Sequence, residues 1–197
     1  MKRTNKRDEL IQVGRKIIAQ QGFKAASLND ILTTAGVPKG SFYYYFSSKE
    51  DFGLAIVDDF AREYRDRLQI MSQSASPIRG LRNYFELKIA EMESCQCVDG
   101  CLIGNLAQEL SAQNKLFRDR LDRIFAEWEQ YFVRCLQAAQ AAGEISLASD
   151  RLPRLAKFIL SSWEGAILQA KVTKSVAPMK IFVDVLFTSI LDKSPSG

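Results

Sequence analysis

Covalent chemistry in this chain rests with its cysteines: Cys95, Cys97 and Cys101 lie within seven residues, and Cys135 stands apart. Cys101 follows Asp99-Gly100, a loop ending, and precedes a helical pattern through Leu106 and Leu110. A thiol at a helix start meets unpaired N–H groups that favour the thiolate, which is the nucleophilic form. Alkylation or oxidation would then change its size and charge. On residue type alone the simpler reading is a small buried hydrophobe, as most free cysteines are. Cys95 and Cys97 read as incidental, and Cys135 falls in an apolar stripe. A zinc site from the four would need a Cys-x-Cys step tighter than usual structural spacing. No metal and no cofactor is expected. The chain has no histidine, so the commonest general base and zinc ligand are missing. Neither a paired acid and base nor a phosphate-cradling glycine loop replaces it, so an enzyme is not expected.

The second constellation is built for binding. Residues 1–50 hold nine Lys/Arg against four acids, an excess of five, while the remaining 147 residues carry a net −1. A basic quarter on a near-neutral body suits a polyanion, although a solvated lysine-rich helix face would give the same count. Within it lies Lys39-Gly40-Ser41-Phe42-Tyr43-Tyr44-Tyr45-Phe46. Phe42 and Phe46, four apart, share one helical face and should point inward. Three consecutive tyrosines sweep about 200° of a helix, so they cannot all be buried with them. Tyr43 and Tyr44 therefore face solvent or a ligand. Gly40 allows close approach of a sugar-phosphate strand, and Lys49 opens the next helix, where a phosphate is favoured. Arg3, Lys6 and Arg7 form a candidate arm toward the minor groove or phosphates.

These residues have to be positioned by helices, since no sustained strand alternation appears. Leu10, Val13, Ile17 and Ile18 mark a first helix ended by Gly22. Ser27 with Asp30 reads as a capping box for the second. Ala35-Gly36-Val37 breaks it, and Pro38 starts a very short third helix through Phe46. Ser48 and Asp51 cap a fourth, to about Ile70. A polar stretch at Ser72–Pro77 separates this head from longer helices over about Pro77–Ser94, Cys101–Ser111 and Lys115–Ala142. Two more are opened by Pro153 and Pro178. The expected fold is all-α, about nine helices: a three-helix helix-turn-helix head over residues 1–67 and a helical sensing and dimerisation body over 77–197. No apolar stretch reaches the ~18 uninterrupted residues of a membrane span, and no signal core is present, so a soluble cytoplasmic chain is expected.

The segment from Ser27 to Phe52, SLNDILTTAGVPKGSFYYYFSSKEDF, resembles the head of the TetR family of transcriptional regulators. The likeness covers about Lys6 to Arg67. It implies a dimeric repressor on a palindromic double-stranded DNA operator, with phosphate contacts from Ser27, Lys39, Tyr43, Tyr44 and Lys49. Ser41 is placed to reach a base. Two positions depart from the family pattern: Pro38 stands where many members carry serine, and Tyr45 where histidine is common.

The segments Asp99–Ala107 and Trp163–Lys171 resemble the TetR subgroup that senses reactive electrophiles, which includes the repressor of N-ethylmaleimide reductase. That likeness implies a reactive Cys101 with Lys171 as its partner. The alternative is a reversible small-molecule inducer in a pocket lined by Trp128, Tyr131, Phe132 and Trp163, suited to a planar apolar ligand. Small Ser161, Ser162, Gly165 and Ala166, beside Trp163, Phe182 and Leu186, mark the last two helices as the expected homodimer surface.

Overall fold

The computed structural model describes residues 5–71 and 74–191, all of them except the side chains of Ile70 and Met71. Arg3 of the candidate arm, and Ser72 and Gln73 of the polar stretch, lie outside the described residues. Among the described residues there are nine α-helices and no strand: α1 Lys6–Gln21, α2 Leu28–Ala35, α3 Lys39–Tyr45, α4 Lys49–Met71, α5 Pro77–Ser94, α6 Leu102–Leu110, α7 Lys115–Ala141, α8 Leu152–Thr173 and α9 Ala177–Val185. A 3₁₀ turn at Ser149–Arg151 leads into α8, and a π-helical turn at Leu186–Ile190 continues α9. The all-α expectation is met. No described helix is long and apolar enough to cross a membrane.

The chain divides into two compact units. The first comprises the chain up to Glu63 together with Cys101–Asp122, so α6 and the start of α7 pack with the N-terminal helices. Its core is aromatic: Phe42, Phe46 and Phe52 meet with centroids 4.9–5.5 Å apart. Phe23 lies 5.0 Å from Phe117. Helix-helix approach here depends on glycine at two places. A Cβ on Gly14 would fall 2.3 Å from the Phe52 ring, and one on Gly53 would fall 2.4 Å from that of Phe23.

The second unit comprises Tyr64–Gly100 and Arg123 onward. Its centre is Phe85, fully buried, with Trp163 at 4.7 Å, Phe182 at 5.2 Å and Phe132 at 6.1 Å. Arg82 covers the Phe187 ring at 4.4 Å. Helix α5 is capped by Ser76, which accepts from the Arg79 amide, and carries Pro77 in its first turn. Its first turn also donates the Ile78 N–H to Glu144 at 2.9 Å.

Candidate functional site

The helix-turn-helix forms as the residue pattern requires. Gly36 closes α2 in the left-handed region at φ 62°, where glycine carries no Cβ penalty, and its N–H returns to Leu32 and Thr33 carbonyls. Ser27 stands at the N-cap of α2 with extended backbone, yet its side chain makes no capping hydrogen bond. The predicted box with Asp30 is therefore absent, and the Ser27 hydroxyl remains half-exposed at the helix start. Pro38 is the N-cap of α3 and not its first helical residue. It offers no side-chain oxygen where a serine would.

On α3 the two faces separate cleanly. Phe42 and Phe46 are sealed in the core, whereas Tyr43 is 57% and Tyr44 84% exposed. Lys39, Gly40 and Ser41 are exposed beside them, and a Cβ on Gly40 would meet nothing within 4 Å. Tyr45 is half-buried, edge-on to Tyr44 at 5.0 Å. A short helix that buries Phe42, with Phe46 buried at its C-cap, thus holds two tyrosines, a lysine and a serine outward. Lys49 begins α4 as expected. Its ammonium lies 4.9 Å over the Phe23 ring and donates to the Lys24 carbonyl at 3.4 Å. Ser48 accepts from the Asp51 amide at 3.0 Å, and Asp51 accepts from the Ser47 amide at 2.9 Å. In the candidate arm, Lys6 is paired with Glu9 at 2.5 Å and the Arg7 guanidinium sits 5.2 Å over Phe46.

A residue absent from the sequence reading ties this surface down. Glu109, near the end of α6, accepts from both the Phe23 and Lys24 amides at 2.7 Å. Gly22 allows this approach: at φ 83° its own Cβ would stand 2.9 Å from a Glu109 carboxylate oxygen. The α1–α2 turn that underlies Lys49 is thereby fastened to α6. Two amides contacted from 86 and 85 residues away leave no local pattern for a sequence reader to detect.

At the other end of α6, Cys101 is the N-cap, 8% exposed, and its Sγ accepts from the Gly104 amide at 3.4 Å. The thiol therefore occupies the helix start that the sequence predicted. Lys171 lies in the last turn of α8. Its stem crosses Gly100, so closely that a Cβ there would fall 2.6 Å from its Cδ. Cys97 is buried, and both it and Gln96 take left-handed backbone at φ 56° and 52°. Cys135 is half-buried, its Sγ 3.6 Å from the Pro77 carbonyl. Burial, and then Glu144, push that thiol up from the usual 9.0 to about 11, which keeps it protonated and inert at neutral pH. Among the described residues no group of three or more metal-ligating side chains occurs.

The four predicted pocket residues separate. Phe132 and Trp163 are 0% and 1% exposed and belong to the packed core around Phe85. Trp128 and Tyr131 instead line a groove of about 620 Å³ between the second half of α4 and α7. The expected dimer residues also sort differently. Trp163, Ala166 and Leu186 are buried within their own unit. The exposed residues of α8 include Arg154, Phe158, Ser161, Gly165, Leu168 and Val172, and those of α9 include Ile181 and Val185. On α8 these residues follow alternating steps of four and three, the spacing that keeps them on one side of the helix.

The signature described as "Bacterial regulatory proteins, tetR family" matches residues 10–56. A second, "Tetracyclin repressor-like, C-terminal domain", matches 77–186. The chain belongs to the TetR family of transcriptional regulators. Among curated relatives, it is 36% identical to the HTH-type transcriptional repressor DhaR of Mycobacterium sp. (strain GP1), over 97% of this chain and 95% of that one. It is 30% identical to the HTH-type transcriptional repressor NemR of Escherichia coli K12, over 88% of each. The crystal structure titled as the reduced form of E. coli NemR superposes with a TM-score of 0.85 at 27% identity, covering 91% of this chain and 94% of that one. Like these TetR relatives, the protein is a DNA-binding repressor and not an enzyme.

Proposed function

We propose that the protein holds a palindromic operator as a homodimer and leaves it when an electrophile or oxidant modifies Cys101. The DNA half of this reading is carried by one observation: α3 buries Phe42 and Phe46 and so presents Lys39, Gly40, Ser41, Tyr43 and Tyr44 outward together. In this reading Ser41 meets a base edge in the major groove. Lys39, Tyr43, Tyr44, Ser27 and Lys49 hold phosphates, with Gly40 letting the strand come close. Homodimerisation through the solvent-facing seam of α8 and α9 places two such helices on half-sites one turn apart, about 34–36 Å.

The sensing half rests on Cys101 at the start of the same helix whose far end, through Glu109, holds the α1–α2 turn. With N-ethylmaleimide, the thiolate sulfur bonds to one alkene carbon and the other takes a proton from water. The adduct must fit where a buried thiol and the Gly104 amide now pack. Lys171, whose stem braces Gly100, is the partner that the family resemblance implies for this thiol. Modification shifts DNA affinity only because the operator-bound and released states accommodate the adduct differently.

A second reading keeps the repressor and replaces the covalent trigger with a reversible ligand; the groove beside Trp128 and Tyr131 favours it. A gel shift on DNA from upstream of the protein's own gene tests both. The wild-type complex is expected to dissociate after N-ethylmaleimide treatment, and the Cys101→Ser complex to persist. Equal release of Cys101→Ser would exclude Cys101 as the trigger.

A further inference from the structure

The two supports of Lys49 share an anchor. Its ammonium rests over the Phe23 ring and donates to the Lys24 carbonyl. Phe23 and Lys24 are also the two residues whose amides reach Glu109, one carboxylate oxygen each: Oε2 takes the Phe23 N–H and Oε1 the Lys24 N–H, both at 2.7 Å. The same stretch of chain braces this turn twice more. The Lys24 ammonium donates to the Gln113 side chain, and the Phe23 ring meets Phe117. All of these residues belong to the first compact unit. Glu109 is half-buried and donates nothing to the DNA-facing surface itself, yet both groups that hold Lys49 depend on where it stands.

We infer that Glu109 is a positioning residue for DNA binding: through the Phe23–Lys24 turn it holds the Lys49 ammonium where a phosphate meets it. A lysine side chain loses rotamer freedom on settling against a phosphate, and one held in place beforehand loses less. The inference rests on the phosphate reading of Lys49 and names the residue that sets its strength. The sign of the effect separates it from plain electrostatics. A carboxylate in the unit that faces a polyanion repels it, so on charge alone the loss of Glu109 would tighten binding. As a positioning residue, its loss weakens binding. Two variants divide charge from geometry. Glu109→Gln keeps the size but turns an NH₂ group against one of the two amide donors. Glu109→Asp keeps the charge and is one methylene short of both.

The test is a salt titration of the full-length protein on two labelled duplexes, one from upstream of its own gene and one of scrambled sequence, read by fluorescence anisotropy. Glu109→Gln and Glu109→Asp should each weaken both duplexes about fivefold at ~0.15 M salt, the counterion-release worth of one phosphate contact. Each should lower the salt slope by about one. The double variant Glu109→Gln/Lys49→Ala should bind no more weakly than Lys49→Ala, because both changes remove the same contact. Unchanged or tighter binding by Glu109→Gln would overturn the inference. So would a full further loss in the double variant, or a lowered melting temperature beside an unchanged slope, which is what a purely structural role gives. Lys49→Ala separates the inference from the reading beneath it. A lower slope in Lys49→Ala but not in Glu109→Gln overturns the positioning role alone; an unchanged slope in Lys49→Ala overturns both.

Discussion

The protein's two compact units use aromatic side chains in opposite ways. In the first, Phe42 and Phe46 are buried so that Tyr43 and Tyr44, their immediate neighbours, stay out. In the second, Phe85 draws Trp163, Phe182 and Phe132 inward, and its aromatic neighbour Tyr84 is buried as well. Ring count therefore says little about binding; what separates the two is whether the helix has a second face to leave exposed. Helix α3 is seven residues long, too short to bury tyrosines on every side. Helix α5 has other elements against it and closes its rings into a core.

Three substitutions sharpen that contrast, from the largest effect downward. Phe85→Ala should remove about 3–5 kcal/mol of stability, the usual cost of emptying a buried phenylalanine site. Calorimetry should show the loss; an unchanged melting temperature would mean that the ring cluster is not the centre of the second unit. The pair Tyr43→Ala/Tyr44→Ala should behave in the reverse manner. Loss of two hydroxyl–phosphate hydrogen bonds should weaken operator binding by about 3 kcal/mol, on the order of a hundredfold, with melting unaffected. Fluorescence anisotropy on labelled operator measures it, and a lowered melting point with intact affinity would assign these rings to packing. The smallest effect belongs to Lys49→Ala. Its ammonium already has Phe23 and the Lys24 carbonyl as partners, so binding should weaken uniformly across DNA sequences and the salt slope fall by about one. A salt titration with no change in slope would place Lys49 off the DNA.

Much of the first unit was legible because its signals are local. A glycine at the turn, a phenylalanine pair four apart, and a serine three residues before an aspartate each act within one helical turn, and the helix ends fall within a residue or two of expectation. The capping box at Ser27 was the exception, since spacing permits a cap without deciding where the hydroxyl turns. The second unit was harder. Helix α8 is apolar on more than one side, so a periodic stripe cannot say which side faces its own core. Trp163 and Ala166 looked like interface and are buried, while Phe158 on the same helix faces solvent. The same ambiguity joined Phe132 and Trp163 to Trp128 and Tyr131 as one pocket. Glu109 stayed hidden because its partners lie far off in the chain.

Glu109 also bears on how the gene can be cut. A fragment ending at Met71 would keep every residue proposed to touch DNA, yet lose the carboxylate that receives the Phe23 and Lys24 amides and the Phe117 ring that shelters Phe23. Transplanting the reading helices onto another scaffold would need the segment from Cys101 to Asp122 carried along as a splint.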